Sequence, residues 1–307
     1  MTDAAPMRGV LSPVVTPFDA DLQVDVERLI RHCRWLLSHD CGLAIFGTNS
    51  EGNSLSVDEK IDIVDRLIEA GIDPARMMPG TGCCALPDSV RLTRHMVERG
   101  CGGVLTLPPF YYKGLSDEGI YRSIAEIIER AGDSRLRMYL YHIPPVAQVG
   151  FSLDLIERLI HDYAGAVAGI KDSSGDWSNT KAMLERFPGW GVFAGNETIL
   201  LDTMRHGGAG CISATCNVNA PAIVELYRHW QDADADERQS ACTALRHRVG
   251  KYPMIPALKA TIAHFTDDPD WTRLRPPLVA LDTATVKQLG AELEAAGFAM
   301  PGIAARA

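Results

Sequence analysis

Lys171 closes an apolar run, Ala166-Val-Ala-Gly-Ile170, and polar turn residues from Asp172 to Asp176 follow it at once. A short apolar run bounded by turn residues reads as a buried strand. The lysine therefore ends a strand, its stem in apolar surroundings that disfavour the ammonium form. A neutral amine at a strand mouth is a Schiff-base nucleophile; a lysine that merely snorkels along the strand end is the plain alternative. Other strand ends carry residues that decide between the two. Thr48, Asn49, Ser50 and Glu51 follow one apolar run, and Phe110, Tyr111 and Tyr112 follow another. Tyr141 ends a third, with His142 next to it; Ser173 lies just past Lys171, Gly195, Asn196 and Glu197 follow a further run, and Ile212 and Ser213 close the last. This set holds one amine, phenols that relay protons (Tyr141 with Tyr111 or Tyr112), and a hydroxyl, Thr48, able to link two phenols. The Gly-Thr-Asn-Ser turn offers N–H groups to a carboxylate. Together they describe imine chemistry on a 2-oxo acid, in which the imine draws electrons from C3 so that a proton leaves or a C3–C4 bond forms or breaks.

Such residues must be positioned by a repeating frame. Strand-like runs fall at 10–16, 42–46, 76–81, 103–107, 136–141, 166–171, 191–194 and 210–213. Between them, helical spacing of apolar residues falls at 26–37, 57–70, 87–99, 116–130, 153–161, 178–187 and 198–206, with Ser56 and Glu59 as a capping pair. Eight strand-then-helix units before residue 220 predict an α/β fold, a closed (β/α)₈ TIM barrel, whose reactive groups come from the C-terminal strand ends. From about residue 221 onward the pattern is helical only, at 222–230, 236–249, 256–264 and 285–296. The expected division is a barrel over 1–220 that carries the active site and a helical segment over 221–307 packed on it.

Composition narrows the function classes. The 307 residues are 46% hydrophobic and 22% charged, ordinary for a globular protein. A net charge of −9 argues against nucleic acid or anionic membrane as a partner. No apolar run reaches membrane-spanning length and the N-terminal stretch lacks the pattern of a signal peptide, so a cytoplasmic protein is expected. The eight cysteines show no zinc-type spacing and read as reduced thiols, Cys33, Cys101, Cys211 and Cys216 within helix or strand. The nine histidines form no metal cluster, which disfavours a metal-dependent aldolase; no metal and no organic cofactor are expected. Gly80-Thr-Gly-Cys-Cys-Ala85 matches a dinucleotide fingerprint by chance, since no wider unit surrounds it. Gly207-Gly-Ala-Gly210 precedes the last strand, so a tight turn outweighs a phosphate site there.

Four stretches, each at an expected strand end, carry a family resemblance: Gly47-Thr-Asn-Ser-Glu51, Tyr139-Leu-Tyr-His-Ile-Pro144, Gly169-Ile-Lys-Asp-Ser173 and Gly210-Cys-Ile-Ser-Ala-Thr215. In order and spacing the chain resembles the dihydrodipicolinate synthase and N-acetylneuraminate lyase family of class I pyruvate-dependent aldolases over nearly its whole length. The resemblance implies that Lys171 forms the imine, that Tyr141 shuttles protons, and that Ile212 lines the pyruvyl pocket. It implies that Thr48 links Tyr141 to a second tyrosine crossing from a neighbouring subunit, best placed at Tyr111 with Tyr112 second. Thr48 and Asn49 would then hold the carboxylate, and a homo-oligomer, a dimer of dimers, is expected.

Two departures bear on the substrate. Asn49-Ser50 stands where the family turn has Thr-Gly, which asks for a strained or left-handed residue there. Val146 stands where dihydrodipicolinate synthases carry the arginine that grips the semialdehyde carboxylate, and an isopropyl group cannot replace a guanidinium. The expectation is therefore a Schiff-base lyase, aldolase or dehydratase, acting on pyruvate or a 2-keto-3-deoxy sugar acid, with an aldehyde as the second partner. Ser173, Gly195, Asn196 and Glu197 are candidates to bind its hydroxyls, although Asn196 and Glu197 equally suit a helix cap. The alternatives are 4-hydroxy-tetrahydrodipicolinate synthase, condensing pyruvate with aspartate semialdehyde, and a barrel that binds a 2-oxo acid without turning it over. Glu51 reads as a structural hydrogen-bond partner. His142 faces away from Tyr141 on the strand and reads as packed against a helix.

Overall fold

Parallel strands bury both faces, so they read as continuous apolar runs rather than alternating ones. The computed structural model describes residues 6–303; residues 1–5 and 304–307, the outer ends of the two expected segments, lie outside the described residues. Seven strands are present among the described residues: β1 (Gly9–Ser12), β2 (Gly42–Leu43), β3 (Val104–Thr106), β4 (Met138–His142), β5 (Val167–Asp172), β6 (Gly191–Ala194) and β7 (Gly210–Ile212). They form one parallel sheet in the order β2-β1-β7-β6-β5-β4-β3.

The eighth expected strand, at 76–81, is reduced to two isolated bridges, Met77 to Leu43 and Gly80 to Leu105. Pro79 sits between them and has no N–H to give a ladder. The stretch still holds both neighbours. The Met78 and Gly80 N–H groups donate to Leu43 O (2.8 Å) and Ile45 O (2.7 Å), and the Leu105 N–H donates to Pro79 O (2.8 Å). It thus joins β2 to β3 and closes the curled sheet into a TIM barrel.

Side chains alternate across each strand. Tyr139 and Tyr141 of β4 point inward, where they pack with Leu11, Met78, Leu105, Phe193 and Ile212. Leu140 between them points outward, into the larger core between sheet and helices. Gly169 belongs to this inner packing: a Cβ there would lie 2.2 Å from Gly191 O and 2.7 Å from the Tyr139 ring.

The surrounding helices begin where the sequence supplies caps. Helix Val57–Glu69 starts on a full capping box: the Glu59 N–H donates to Ser56 Oγ (3.2 Å) and the Ser56 N–H donates to Glu59 Oε2 (2.8 Å). Ser56→Ala is expected to cost about 1 kcal/mol, read as a lower midpoint in urea with unchanged slope. An unaltered midpoint would show that the cap contributes nothing.

Past β7, helix Cys216–Arg228 contains Pro221 and leaves helical geometry at Asn219. Helices Ala235–Val249, Met254–Thr266 and Thr283–Ala295 follow. Nine residues of Met254–Thr266 are buried, including Lys259. No helix among the described residues is long and apolar enough to cross a membrane. Cys33, Cys41, Cys211, Cys216 and Cys242 are buried free thiols. Cys101, expected within a regular element, lies just past helix Leu86–Glu98 and is half-buried.

Candidate active site

Register brings the reactive groups together. Strands β4 and β5 pair Tyr141 directly with Lys171, so two inward-pointing side chains meet at the strand mouth. The Lys171 Nζ donates to Tyr141 Oη at 3.2 Å and stands 4.3 Å from the ring centre. Thr48 Oγ1 lies 3.3 Å from the same phenolic oxygen. Lys171 and Tyr141 are each only 2% exposed. Amine, phenol and hydroxyl thus form one chain of hydrogen bonds, and all three line a cavity of about 570 Å³. That size is within the range of small-molecule sites and exceeds the needs of pyruvate alone.

Asn49, Ser173, Gly195 and Asn196 line the same cavity. Ser173 is held by its N–H, which donates to His142 O at 2.7 Å. Gly195 must be glycine, because a Cβ would lie 2.3 Å from Ser173 Oγ and 2.4 Å from Asp172 O. Asn196 has two tasks: it lines the cavity, and its Oδ1 accepts from the Thr198 N–H (2.8 Å), capping the turn Glu197–Ile199.

Three expected site residues are placed elsewhere. Ile212 is fully buried in the barrel interior with Tyr141 and Phe193, not on the cavity wall. Glu197 is fully buried, and its carboxylate accepts from the hydroxyls of Ser213 and Thr215. Burial pushes its pKa up, with the charge of Arg246 pulling the other way. Both oxygens are engaged, so it supports the end of β7 rather than facing a substrate. Tyr111 is 72% exposed and Tyr112 70%, their rings packed edge to face at 5.4 Å. The segment 108–115 carries them outward, so one chain does not bring Tyr111 to Thr48.

The turn over residues 47–51 differs from the sequence expectation in one respect. Neither Asn49 nor Ser50 is left-handed; the positive φ falls on Glu51, at 55°. Thr48–Ser50 forms a tight turn, and Glu51 absorbs the reversal. Its carboxylate lies buried against Lys259 and accepts from the Arg275 N–H at 3.1 Å. Lys259 also donates to Arg273 O at 2.7 Å, and burial pulls its pKa down to about 8 against the attraction of Glu51. Glu51 is therefore an anchor for the turn. His142 accepts from the Phe151 N–H at Nδ1 (3.0 Å), and burial lowers its pKa, so it packs as a neutral ring away from Lys171.

Residues past 240 also reach the cavity: Arg246, Pro253 to Pro256, and Pro277 to Val279. Sequence reasoning missed them because the helical segment carries no strand end to collect from. Lys259 left one readable trace, a lone charge in the mostly apolar Met254–Ala263 stretch. Arg246 left none, being one of three basic residues in Arg246-His-Arg248. A second cavity, about 630 Å³, lies over Ile61, Val90 and Arg94 on the outer helices and touches none of these groups. Among the described residues, no group of three or more His, Cys, Asp or Glu side chains is placed to hold a metal ion.

Known proteins match this chain along nearly all of its length. The sequence profile of the dihydrodipicolinate synthetase family matches residues 6–296. An uncharacterized DapA-like lyase of Chloroflexus aurantiacus is 33% identical over 295 residues, covering 94% of this chain and 96% of its own. A 4-hydroxy-tetrahydrodipicolinate synthase of Bartonella bacilliformis is 26% identical over 297 residues, covering 95% and 99%. The crystal structure of dihydrodipicolinate synthase from Agrobacterium tumefaciens superposes with a TM-score of 0.86 at 31% identity, covering 94% of this chain and 98% of that one. A 2-keto-3-deoxygluconate aldolase variant of Sulfolobus solfataricus, at 20% identity and a TM-score of 0.84 over 94% and 96% of the two chains, shares the fold.

Proposed function

The chain belongs to the dihydrodipicolinate synthetase family of class I Schiff-base lyases, and from that premise we propose that Lys171 is the imine-forming residue of an aldolase or dehydratase for pyruvate or a 2-keto-3-deoxy sugar acid. The observation that carries this reading is the Lys171–Tyr141–Thr48 hydrogen-bonded chain at the floor of the cavity. Lys171 Nζ adds to the keto carbon, and Tyr141 gives a proton to the resulting hydroxyl so that water leaves. In the cleavage direction Tyr141 then takes the proton of the C4 hydroxyl as the C3–C4 bond breaks. The electrons of that bond pass into the imine, an enamine forms, and the aldehyde departs. Protonation at C3 and hydrolysis return the free lysine and pyruvate. Thr48 keeps the phenol aimed at Nζ, and the turn at Thr48–Asn49 takes the carboxylate. Ser173, Gly195 and Asn196 receive the hydroxyls beyond C3.

The rest of the reading follows the family. The exposure of Tyr111 supports its reaching a neighbouring subunit's Thr48 in a homo-oligomer, a dimer of dimers, and the enzyme is placed in the cytoplasm. The barrel holds the reacting groups, and the C-terminal helices cover it and contribute cavity wall. Condensation of pyruvate with aspartate semialdehyde is the second reading, supported by the names of the relatives; Val146, 60% exposed on the cavity wall, offers that carboxylate nothing.

The test is borohydride reduction with pyruvate, followed by peptide mass spectrometry. A pyruvyl adduct on the Lys171 peptide is expected; pyruvate bound in calorimetry without adduct or exchange of its methyl protons would establish a non-catalytic binding barrel. Tyr141→Phe is expected to lower kcat by roughly 10²- to 10⁴-fold, the span of general acid–base catalysis, while pyruvate can still be trapped slowly. A kcat within about threefold of the parent would remove the phenol from the mechanism.

A further inference from the structure

The cavity has two charged lining side chains, Lys171 and Arg246, and no lining Asp or Glu. Arg246 comes from helix Ala235–Val249, far in sequence from every strand end. Its hydrogen-bond partner is the Met254 sulfur, at 3.8 Å from Nη1, a weak acceptor. Among the described residues no carboxylate lies within ion-pair distance of it, whereas Arg238 on the same helix pairs with Asp234, and Asp236 with Arg205. Glu197 feels the charge of Arg246, but its oxygens are taken by Ser213 and Thr215. A guanidinium carries five donors in a fixed fork. Here the fork faces a cavity whose outer wall is apolar, lined by Val146, Met254, Ile255, Leu278 and Val279. A guanidinium with no carboxylate partner, set beside apolar surface and a hydroxyl-rich floor, is built for a substrate with one acid group at each end.

We propose that Arg246 determines specificity by receiving an anionic group, carboxylate or phosphate, at the end of the substrate remote from the imine carbon. The enzyme would then act on 2-oxo acids bearing a second acid group, and its aldehyde partner would itself be an anion. This rests on Lys171 forming the imine. It also changes the meaning of Val146: the cation missing from the loop after β4 is supplied by a different element.

The experiment has two arms. In the first, condensation with pyruvate is measured for matched aldehydes: succinic semialdehyde against butanal, and glyceraldehyde 3-phosphate against glyceraldehyde. The parent enzyme is expected to favour one anionic member, the pair identifying carboxylate or phosphate. Arg246→Gln should lower that ratio of kcat/KM by about 10- to 100-fold, through KM, with partial recovery in Arg246→Lys. A merely structural role, neutralising buried Glu197, would lower both members of a pair alike and leave the ratio standing, which overturns the proposal. So does a parent enzyme that does not discriminate. The second arm needs no imine. Unreactive α,ω-dicarboxylates from succinate to adipate are titrated by calorimetry against monocarboxylates of equal length. At least one diacid should bind about tenfold tighter than its monoacid, and Arg246→Gln should erase that gap. If pyruvate cannot be trapped on Lys171 yet a diacid is preferred, the imine reading has failed and the anion site stands. If pyruvate is trapped and no diacid is preferred, the anion site has failed alone.

Discussion

Lys171→Met is expected to abolish turnover, lowering kcat by roughly 10⁴-fold or more, the scale on which loss of a covalent nucleophile is felt. No pyruvyl adduct should form on reduction. Lys171→Arg should be equally dead, because a guanidinium stays protonated and cannot add to a carbonyl. The fold should survive both losses. The Lys171 Nζ bonds to the Tyr141 hydroxyl and has no carboxylate partner within 4 Å among the described residues, so the methionine replaces a buried amine with apolar volume and leaves no orphaned acid. Tyr141 keeps its contact with Thr48. The decisive pair of measurements is a thermal midpoint near that of the parent together with absent turnover. Residual activity above about 1% of the parent would move the nucleophile elsewhere.

The second large effect lies away from the reacting atoms. Lys259→Met is expected to destabilise the protein by about 3–5 kcal/mol, since it leaves the Glu51 carboxylate charged and buried without its partner. For a chain of this size that is a fall in midpoint on the order of 10 °C. Removing both charges, as Glu51→Leu with Lys259→Met, should restore most of the stability, because neither variant side chain leaves an uncompensated ion. It should not restore function. Glu51 also accepts from the Arg275 N–H and is itself the left-handed residue that ends the turn presenting Thr48 and Asn49. The double variant should therefore keep a raised KM for pyruvate at near-parental stability. A single Lys259→Met variant within about 1 kcal/mol of the parent would show that the ion pair is not needed.

Much of this site could be read from the chain alone because a barrel places its chemistry at strand ends. Each such end is marked by an apolar run breaking into turn residues. Lys171 and Tyr141 were legible in that way, and Thr48 with them. The third stave was legible as an apolar run, but not its failure to form a ladder, which turns on the missing N–H of Pro79. Glu197, in the turn after β6, was equally legible as a helix-cap residue, and its buried contacts with Ser213 and Thr215 were not legible; Ile212 was misplaced by a simple limit. Position along a strand tells which layer a side chain joins only when the inner packing around Tyr139 and Phe193 is known. Lys259 left only its lone charge as a trace and Arg246 left none, for a different reason. The carboxylate that Lys259 meets lies 208 residues away, and Arg246 lies far from every strand end, so no local spacing encodes either placement.

Those long separations have a consequence for how the molecule comes into being. β1, near the start of the chain, pairs on one side with β7, whose residues follow it by about two hundred positions. The first turn of the site rests on Lys259 and Arg275, later still. During synthesis the early strands are thus an open sheet with an unpaired edge, and the turn at Thr48–Ser50 has no foundation. Contacts so distant in sequence are slow to form and leave apolar edges exposed meanwhile. The first two hundred residues alone lack both β7 beside β1 and Lys259 beside Glu51. A chain that stops before the Met254–Thr266 helix lacks the ion-pair partner of buried Glu51, so the cost of stopping falls on the fold and not on the rate alone.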